Sequence, residues 1–328
     1  MRRDGSRVWH VSAEETGLSL SQMLQLRLDS ATESAGELIR QQRVQVDGNL
    51  CEDWRRRLRA GEVVKVLPHA VAARPTAEQI FIKYVDEHMV VIEKPSGLTT
   101  LRHADERTWT GRRQRREATL DDLLPGVLAE QLATSRRPKV IPVHRLDRET
   151  SGLMVFARTS KAEQGLVTQF ARHDIDRAYR AVVIGTIATE QTLESSFVRD
   201  RGDGKRGSSA EPDVGQHAVT QVRPIEQIGD VTLIECRLET GRTHQIRIHL
   251  SELKHPVCGD KEYRGPFGSR PIADRSGAPR LALHAAELGF QHPISGQRLS
   301  FESKLPRDLQ AWLKQKRGKV VRARSASE

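Results

Sequence analysis

Between residues 80 and 301 the apolar residues come in short runs, and several of these runs stop at a turn signal. Residues 89–93 end at Lys94-Pro95-Ser96-Gly97, and residues 281–290 and 298–301 flank Pro293-Ile294-Ser295-Gly296. Such runs are too short for core helices, and Pro/Gly punctuation of this kind joins neighbouring strands. Further strands are predicted at 80–84, 152–158, 177–184 and 231–238. Helices are predicted between them. Thr119 and Asp122 form one capping-box pattern, ahead of a helix that Pro125 ends or resets. Ser160 and Glu163 form another, for a helix reaching Arg172. Residues 243–253 follow a glycine and read as a third helix, and the Gly-rich, charged stretch 199–215 reads as a mobile loop. The pattern predicts an α+β domain on a long, mostly antiparallel mixed sheet.

The first 67 residues read as a separate unit. Leu18, Leu20, Met23, Leu24, Leu26 and Leu28 predict an amphipathic helix, and Leu38 and Ile39 mark a second. Residues 43–46 alternate like a strand and meet Asp47-Gly48, a hairpin signal, while Val63, Val64 and Val66 supply another strand. Two helices followed by a small hairpin sheet resemble the RNA-binding module first seen in a small-subunit ribosomal protein, the S-four type. Residues 15–68 hold eight basic and eight acidic side chains, so this stretch is not net positive. Its visible basic feature is Arg55-Arg56-Arg57, with Arg59, which reads either as an RNA contact or as a solvated loop. Residues 68–78 carry Pro68 and Pro75 without apolar periodicity and read as a linker; residues 79–313 then form the large domain. The tail 314–328 has six basic residues and one acid, and is expected to fray.

The 328 residues carry 53 Lys and Arg against 43 Asp and Glu, a net charge of +10. An excess dominated by arginine favours a polyanionic partner, nucleic acid before a membrane surface. Cys51, Cys236 and Cys258 are far apart and form no CxxC pair, so neither a disulfide framework nor a zinc site is predicted. The first ten residues, MRRDGSRVWH, do not read as a secretory signal, and no stretch approaches the ~18 apolar residues of a membrane span. These features fit a reducing, cytoplasmic setting.

The residues that carry chemistry lie in three stretches. The first is His144-Arg145-Leu146-Asp147, continued by Thr150-Ser151-Gly152. A lone acid between Arg145 and Arg148 is either a solvated surface cluster or a carboxylate kept charged by a guanidinium, hence usable as a nucleophile or base. The second stretch is Arg177-Ala178-Tyr179-Arg180-Ala181, and the third runs from Gly241-Arg242-Thr243-His244-Gln245 to Ile246-Arg247-Ile248-His249. His244 and His249 are five apart, unlike the i, i+4 pair of a helical zinc site. Taken one at a time, Tyr179 reads as a core side chain, Arg247 as a surface charge, and His144 as a structural hydrogen-bonder.

HRLDxxTSG, then a Tyr-x-Ala strand, then GRTHQIRxH, in that order, resemble the RluA-type RNA pseudouridine synthases. Glu93-Lys94-Pro95-Ser96-Gly97-Leu98 and LALHAAELGFQHP at 281–293 extend the resemblance over residues 80–302. It implies a pseudouridine synthase fold with a cleft across the sheet, and isomerisation of uridine in structured RNA. That reaction gains and loses no atoms, so no cofactor or metal is chemically required. The resemblance assigns Asp147 as the reacting carboxylate, Arg247 as the cation beside it and Tyr179 as the aromatic hydroxyl near the base. It places Arg145 where it can fill the gap left by a flipped nucleotide, and His144 and Arg242 among the RNA-contacting residues. Ribosomal RNA is the favoured target and transfer RNA the alternative; the oligomeric state defaults to monomer. The arginine-rich stretch 102–118, around Trp109, adds weak support for a large RNA.

Two rivals come from other classes. A glycosidase also places an acid at an anomeric carbon, but it uses two paired carboxylates, and no second acid with matching context stands out. A non-catalytic RNA-binding protein fits the charge equally well. It does not need Asp147 and Arg247 to meet in a pocket, so their separation discriminates between the two readings.

Overall fold

The computed structural model describes residues 6–28, 34–41, 43–47, 49–51, 53–67, 75–102, 118–211 and 214–325. The chain divides into two compact units, Met1–Arg74 and Pro75–Glu328.

In the first unit β1 (Arg7–His10) precedes α1 (Leu20–Arg27) and α2 (Ala35–Arg40). Three short strands follow: β2 (Val44–Val46), β3 (Asn49–Leu50) and β4 (Val63–Val66), in the sheet order β1-β4-β2-β3, all antiparallel. Ser19 opens α1 by accepting the Gln22 N–H at 3.2 Å, while the Gln22 side chain accepts the Ser19 N–H at 2.9 Å. Leu20, Met23 and Leu24, at helical spacing, are fully buried and meet Leu38, Val44, Val46 and Val64. Leu26, read from sequence as part of the apolar stripe, is 70% exposed; it falls on the opposite face. The strand β1 was not foreseen, because Val8 and Trp9 are too few to form a periodic signal.

In the second unit an eleven-stranded sheet includes nearly every run predicted as a strand. The strands are β5 (Phe81–Val85), β6 (Met89–Lys94), β7 (Ile141–Pro142), β8 (Ser151–Ala157), β9 (Asp176–Ile184) and β10 (Gln191–Val198). They continue as β11 (Gly207–Ser208), β12 (Gln216–Ile228), β13 (Val231–Leu238), β14 (Leu283–Gln291) and β15 (Arg298–Glu302). The order is β11-β10-β12-β13-β9-β14-β8-β6-β5, with β15 against β14 and β7 against β8. Among the described residues every pairing is antiparallel except β14 with β8, so the sheet is mostly antiparallel and mixed, as the turn signals imply.

Four strands of this unit were not read from the sequence: the two-residue β7 and β11, the latter inside the stretch read as a mobile loop, and the longer β10 and β12. In β10 and β12 polar and half-exposed residues outnumber buried ones, and Pro224 sits in β12 beside a bulge at Pro224/Glu226. A strand of that composition has no apolar run to announce it, and an internal proline argues against one.

Among the described residues four helices flank the sheet. In α3 (Leu120–Gln131) Leu120, Leu124 and Leu128 repeat every four residues and are fully buried. Pro125 neither ends nor resets it: the helix runs on to Gln131. The helix α4 (Ser160–Ala171) is capped by Thr159, which accepts the Ala162 N–H at 3.3 Å, one residue earlier than the capping box read from Ser160. The helix α5 (Gln245–Glu252) is buried at seven of its eight positions, which a soluble helix tolerates only with its polar groups satisfied. The helix α6 (Arg307–Ser325) packs Leu309, Trp312 and Leu313 into the core. Where the sequence led to a fraying tail from Lys314, the chain is helical to Ser325; Lys316 pairs with Asp230 and Arg317 with Glu226. Four arginines of the 102–118 stretch, Arg112, Arg113, Arg115 and Arg116, lie outside the described residues.

The parallel pair joins His284 to Ser151 and Ala285 to Gly152. Gly152 has φ +120°, and a Cβ there would stand 2.2 Å from the Ala285 carbonyl oxygen. Only glycine allows both the backbone angle and the approach. Ser151 lies 3.0 Å from His284 Nδ1, whose Nε2 lies 2.9 Å from Ser303 Oγ. Gly152→Ala is therefore expected to destabilise the protein by about 3 kcal/mol or more. Urea unfolding measures this, and a midpoint within error of wild type would refute the packing argument.

Candidate active site

The turn that bears Asp147 leads into β8 and is fixed by an adjacent loop. Lys94, 1% exposed at the end of β6, donates from Nζ to the carbonyls of Pro95 (2.9 Å), Leu98 (2.8 Å) and Arg148 (3.0 Å). Burial pushes this ammonium down to about 7, opposed by the charges of Asp147 and Glu149. Its three N–H groups match three acceptors, a set that a neutral amine would leave short by one donor. The buried Thr100 hydroxyl donates to the Leu146 carbonyl at 2.7 Å, and the Gly97 N–H donates to the Arg148 carbonyl at 2.8 Å. The Asp147 carbonyl accepts the Thr150 N–H at 3.1 Å, closing the turn. The Asp147 backbone is thus tied on both sides before its side chain meets anything.

The carboxylate looks into a cleft of about 420 Å³, within the range of small-molecule sites. Asp147 Oδ2 stands 3.5 Å from Arg247 Nη1, and Oδ1 stands 3.8 Å from His244 Nε2. The acid and the cation come from segments a hundred residues apart, as the discriminating test required. Arg247 is itself anchored. It donates from Nε and Nη2 to the fully buried Asp260 at 2.7 and 3.0 Å, and from Nη2 to Glu262 at 3.2 Å. Its guanidinium lies 4.9 Å from the centre of the Tyr263 ring. Burial lowers the affinity of Arg247 for its proton, and the bonds and charges of Asp260, Asp147 and Glu262 raise it further, leaving the cation firmly charged. The surface-charge reading of Arg247 does not hold: the side chain is 9% exposed.

Tyr179 projects from β9 into the same cleft and is 8% exposed. Burial pushes its hydroxyl up, Arg177 opposes that, and Asp147 adds to it, so the phenol keeps its proton at neutral pH. Arg145 is exposed at the cleft and has no ion-pair partner among the described residues. Arg242 lines it too, its Nε donating to the His217 carbonyl at 2.9 Å. His144 is a cleft wall. It stacks on Phe170 with centroids 4.6 Å apart, and its Nε2 accepts the Val155 N–H at 3.1 Å, which requires an unprotonated Nε2.

The triplet Arg55-Arg56-Arg57 belongs to the first compact unit. Arg56 pairs with Glu62 at 2.8 Å, and Arg57 donates to the Gly17 carbonyl at 2.8 Å. Arg55 lies over the half-exposed Trp54 ring, 4.4 Å from its centre. Two of the three arginines therefore fasten their own unit, and Arg55 alone of the triplet makes no side-chain bond to an acid or a carbonyl among the described residues.

Sequence reasoning missed His244, Asp260, Glu262, Tyr263 and Arg177. His244 lay inside a motif already singled out. Asp260-Lys-Glu-Tyr263 stands beyond the motif with only a local density of acids to mark it. Asp260 is consumed by Arg247, so it does not supply the second free carboxylate of a glycosidase. Among the described residues no group of three or more His, Cys, Asp or Glu side chains is arranged to hold a metal ion. Among them also, no helix is long and apolar enough to cross a membrane.

Comparison with known proteins gives the family and the fold. Residues 88–252 match the family described as RNA pseudouridylate synthase. A ribosomal large subunit pseudouridine synthase D from Xanthomonas campestris is 38% identical over 275 residues, covering 81% of this chain and 79% of the relative. One of the same name from Escherichia coli O157:H7 is 33% identical and covers 91% and 90%. The solved structure of human RNA pseudouridylate synthase domain containing 4 superposes with a TM-score of 0.56 at 23% identity, covering 72% of this chain and 92% of that one; it supports the fold.

The buried histidines set a pH dependence. His144 is pushed down to about 3 by burial and by Arg177. His249 is pushed down to about 4 by burial, and His284 to about 4 by burial and by Arg280. Below the usual histidine value near 6.5 the unfolded chain takes up protons that the folded chain refuses. Their contribution is complete above pH ~6.5 and is lost as the pH falls towards 4. Thermal midpoints should drop between pH 7 and pH 5, and His144→Gln, whose amide oxygen can still accept the Val155 N–H, should flatten that drop. Equal midpoints at the two pH values would contradict the assignment.

Proposed function

This chain belongs to the RNA pseudouridylate synthase family and isomerises uridine in RNA to pseudouridine, and we propose that its target is large-subunit ribosomal RNA and that Asp147 is the reacting carboxylate. The target follows the names of the relatives, which match most of the chain. The role of Asp147 rests on one observation: its carboxylate faces Arg247 at 3.5 Å inside a cleft that also holds Tyr179 and Arg145.

In the reaction the bond from ribose C1′ to uracil N1 breaks, the base turns, and C5 bonds to C1′. The C5 proton is lost and N1 regains one, so the atoms balance without a co-reactant. Asp147 supplies the charged oxygen that the detached sugar or base requires. Arg247 keeps it charged and oriented where water is excluded. Tyr179 keeps its proton and offers the base an aromatic face and an O–H donor. The target uridine must leave its stack, and Arg145, exposed at the cleft with no ion-pair partner among the described residues, fills the space it vacates. Arg242, held by the His217 carbonyl, meets RNA phosphate. His144 acts as a wall of the site instead of an RNA contact.

The first compact unit is proposed to dock RNA in the manner of the S-four-type modules, with Arg55 and the exposed Trp54 as its contact. A ribosomal target places the protein in the cytoplasm. One chain carries the whole set of site residues, in keeping with a monomer.

Asp147→Asn keeps the shape and should lower pseudouridine formation at least about a thousand-fold with RNA affinity intact. Retained turnover would exclude the carboxylate role. Arg145→Ala should slow the reaction about ten- to a hundred-fold on RNA whose target uridine is paired, and less where it is already unstacked. Equal losses on both RNAs would reassign Arg145 to phosphate binding. Arg55→Ala is expected to weaken RNA affinity several-fold and to lower the salt dependence of binding by about one unit of slope, with turnover of saturating RNA unchanged. An unaltered salt slope would remove this unit from the RNA interface.

A further inference from the structure

Arg247 cannot secure Asp147 alone. Two of its three nitrogens are taken by Asp260 and Glu262, which leaves Nη1 for Oδ2 and nothing for Oδ1. One guanidinium thus faces three carboxylates, and RNA brings further negative charge. The group beside Oδ1 is His244, with Nε2 at 3.8 Å.

The imidazole is held in a definite attitude. His244 stands ahead of α5 with φ 60°, a left-handed backbone conformation. Its Nδ1 lies 2.9 Å from the Tyr263 hydroxyl, and the two rings meet edge to face at 71°. Burial and Arg247 push the ring below its ordinary value, while Asp147, Glu262 and Asp260 oppose this; burial is the largest effect, and the ring is neutral at pH 7. A neutral ring carries one N–H, on one of two nitrogens. With the proton on Nδ1, a lone pair on Nε2 would face the Asp147 carboxylate. With the Tyr263 O–H donating to Nδ1, the proton sits on Nε2 and faces that carboxylate favourably. Tyr263 is 1% exposed, and Nδ1 is its hydroxyl's partner among the described residues. Glu262 Oε2, 3.9 Å from Nδ1, would favour the proton there, but that choice leaves the buried Tyr263 O–H without an acceptor among the described residues; hydrogen-bond satisfaction selects the second arrangement.

We propose that His244 is a positioning residue for the isomerisation, its Nε2–H turned to Asp147 Oδ1 by Tyr263, so that the carboxylate is steadied at both oxygens. The proposal rests on Asp147 being the reacting carboxylate. The present 3.8 Å is longer than a hydrogen bond and leaves the acid free to meet the substrate. Site contacts of this kind tighten once substrate is bound and water leaves. Arg247 then supplies fixed charge, and His244 supplies direction.

The tautomer is read directly on the free protein by long-range proton–nitrogen NMR of the histidine rings. Wild type should show His244 protonated on Nε2, and Tyr263→Phe should show a mixture. A ring protonated on Nδ1 would overturn the proposal, whatever becomes of the reading of Asp147. The second arm follows pseudouridine formation on in vitro transcribed large-subunit ribosomal RNA. His244→Asn tolerates the left-handed backbone but falls short of Oδ1. It should lower kcat about ten- to a hundred-fold, the size of one hydrogen bond to a charged group, with KM and the thermal midpoint unchanged. His244→Gln, whose amide N–H reaches where Nε2–H stood, should recover part of the loss. A higher KM at unchanged kcat would make His244 an RNA contact, and no recovery by glutamine would make it structural; either result overturns the proposal. Asp147→Asn, run alongside, tests the carboxylate itself, since only its retained turnover would defeat that reading.

Discussion

The site depends on one guanidinium shared among acids. Arg247 meets the fully buried Asp260 through two bonds, Glu262 through one, and Asp147 at a longer 3.5 Å. A buried charge is tolerated only when its hydrogen bonds are satisfied, and the Asp260 fork satisfies this one. The rest of the local fold follows from holding it. α5 is short and buried at seven of eight positions because it must carry Arg247 to the interior. The Gln245 side chain donates to the Val219 carbonyl and Thr220 Oγ1, both at 2.9 Å, and His249 Nδ1 lies 2.9 Å from the same hydroxyl. Those bonds fasten the helix to β12, a strand that its own sequence scarcely announces. The asymmetry of the distances has a consequence: Asp260 is an anchor, whereas Asp147 is held more loosely and keeps its oxygens open to the cleft.

Asp147 is placed with equal care from the opposite side. The Lys94 ammonium and the Thr100 hydroxyl bind the backbone of its turn, not its carboxylate. Backbone anchoring fixes where the acid stands without using its oxygens. The strand that follows is gripped in turn: Ser151 and Gly152 pair in parallel with His284 and Ala285, close enough that a single Cβ at Gly152 would strike the Ala285 carbonyl. The Thr-Ser-Gly sequence after Asp147 is therefore architectural. It sets the only parallel pairing among the described residues, within an otherwise antiparallel sheet, and the turn that bears Asp147 leads directly into it.

This division explains what was legible in the sequence. Strands that bury both faces, such as Ser151–Ala157 and Val231–Leu238, announce themselves as apolar runs. Gln191–Val198 and Gln216–Ile228 bury little and were invisible. The site was legible where chemistry is concentrated in motifs, so Asp147, Tyr179 and Arg247 stood out together. Their supports did not. Asp260 owes its place to a loop after α5 whose path no local periodicity records, and His144 sat in a motif while serving as a wall, because sequence cannot show that Val155 donates to its ring.

Net charge was the coarsest signal, and the structure refines its meaning. Ten surplus positive charges suggest a basic surface, yet many arginines are already committed. Arg27 pairs with Glu15, Arg56 with Glu62, Arg180 with Glu235, Arg280 with Asp308, Arg298 with Asp176 and Arg317 with Glu226. Each such pair cancels at the range of a Debye length and attracts no phosphate. Around the cleft the balance differs. Arg145 has no acid partner among the described residues, and Arg242 spends its side-chain bond on a carbonyl, which leaves its charge uncompensated. Of the acids around Arg247, Asp147 lines the cleft, beside Arg145, Arg177, Arg242 and Arg247. A polyanion therefore meets net positive charge there, with one carboxylate among four guanidinium groups.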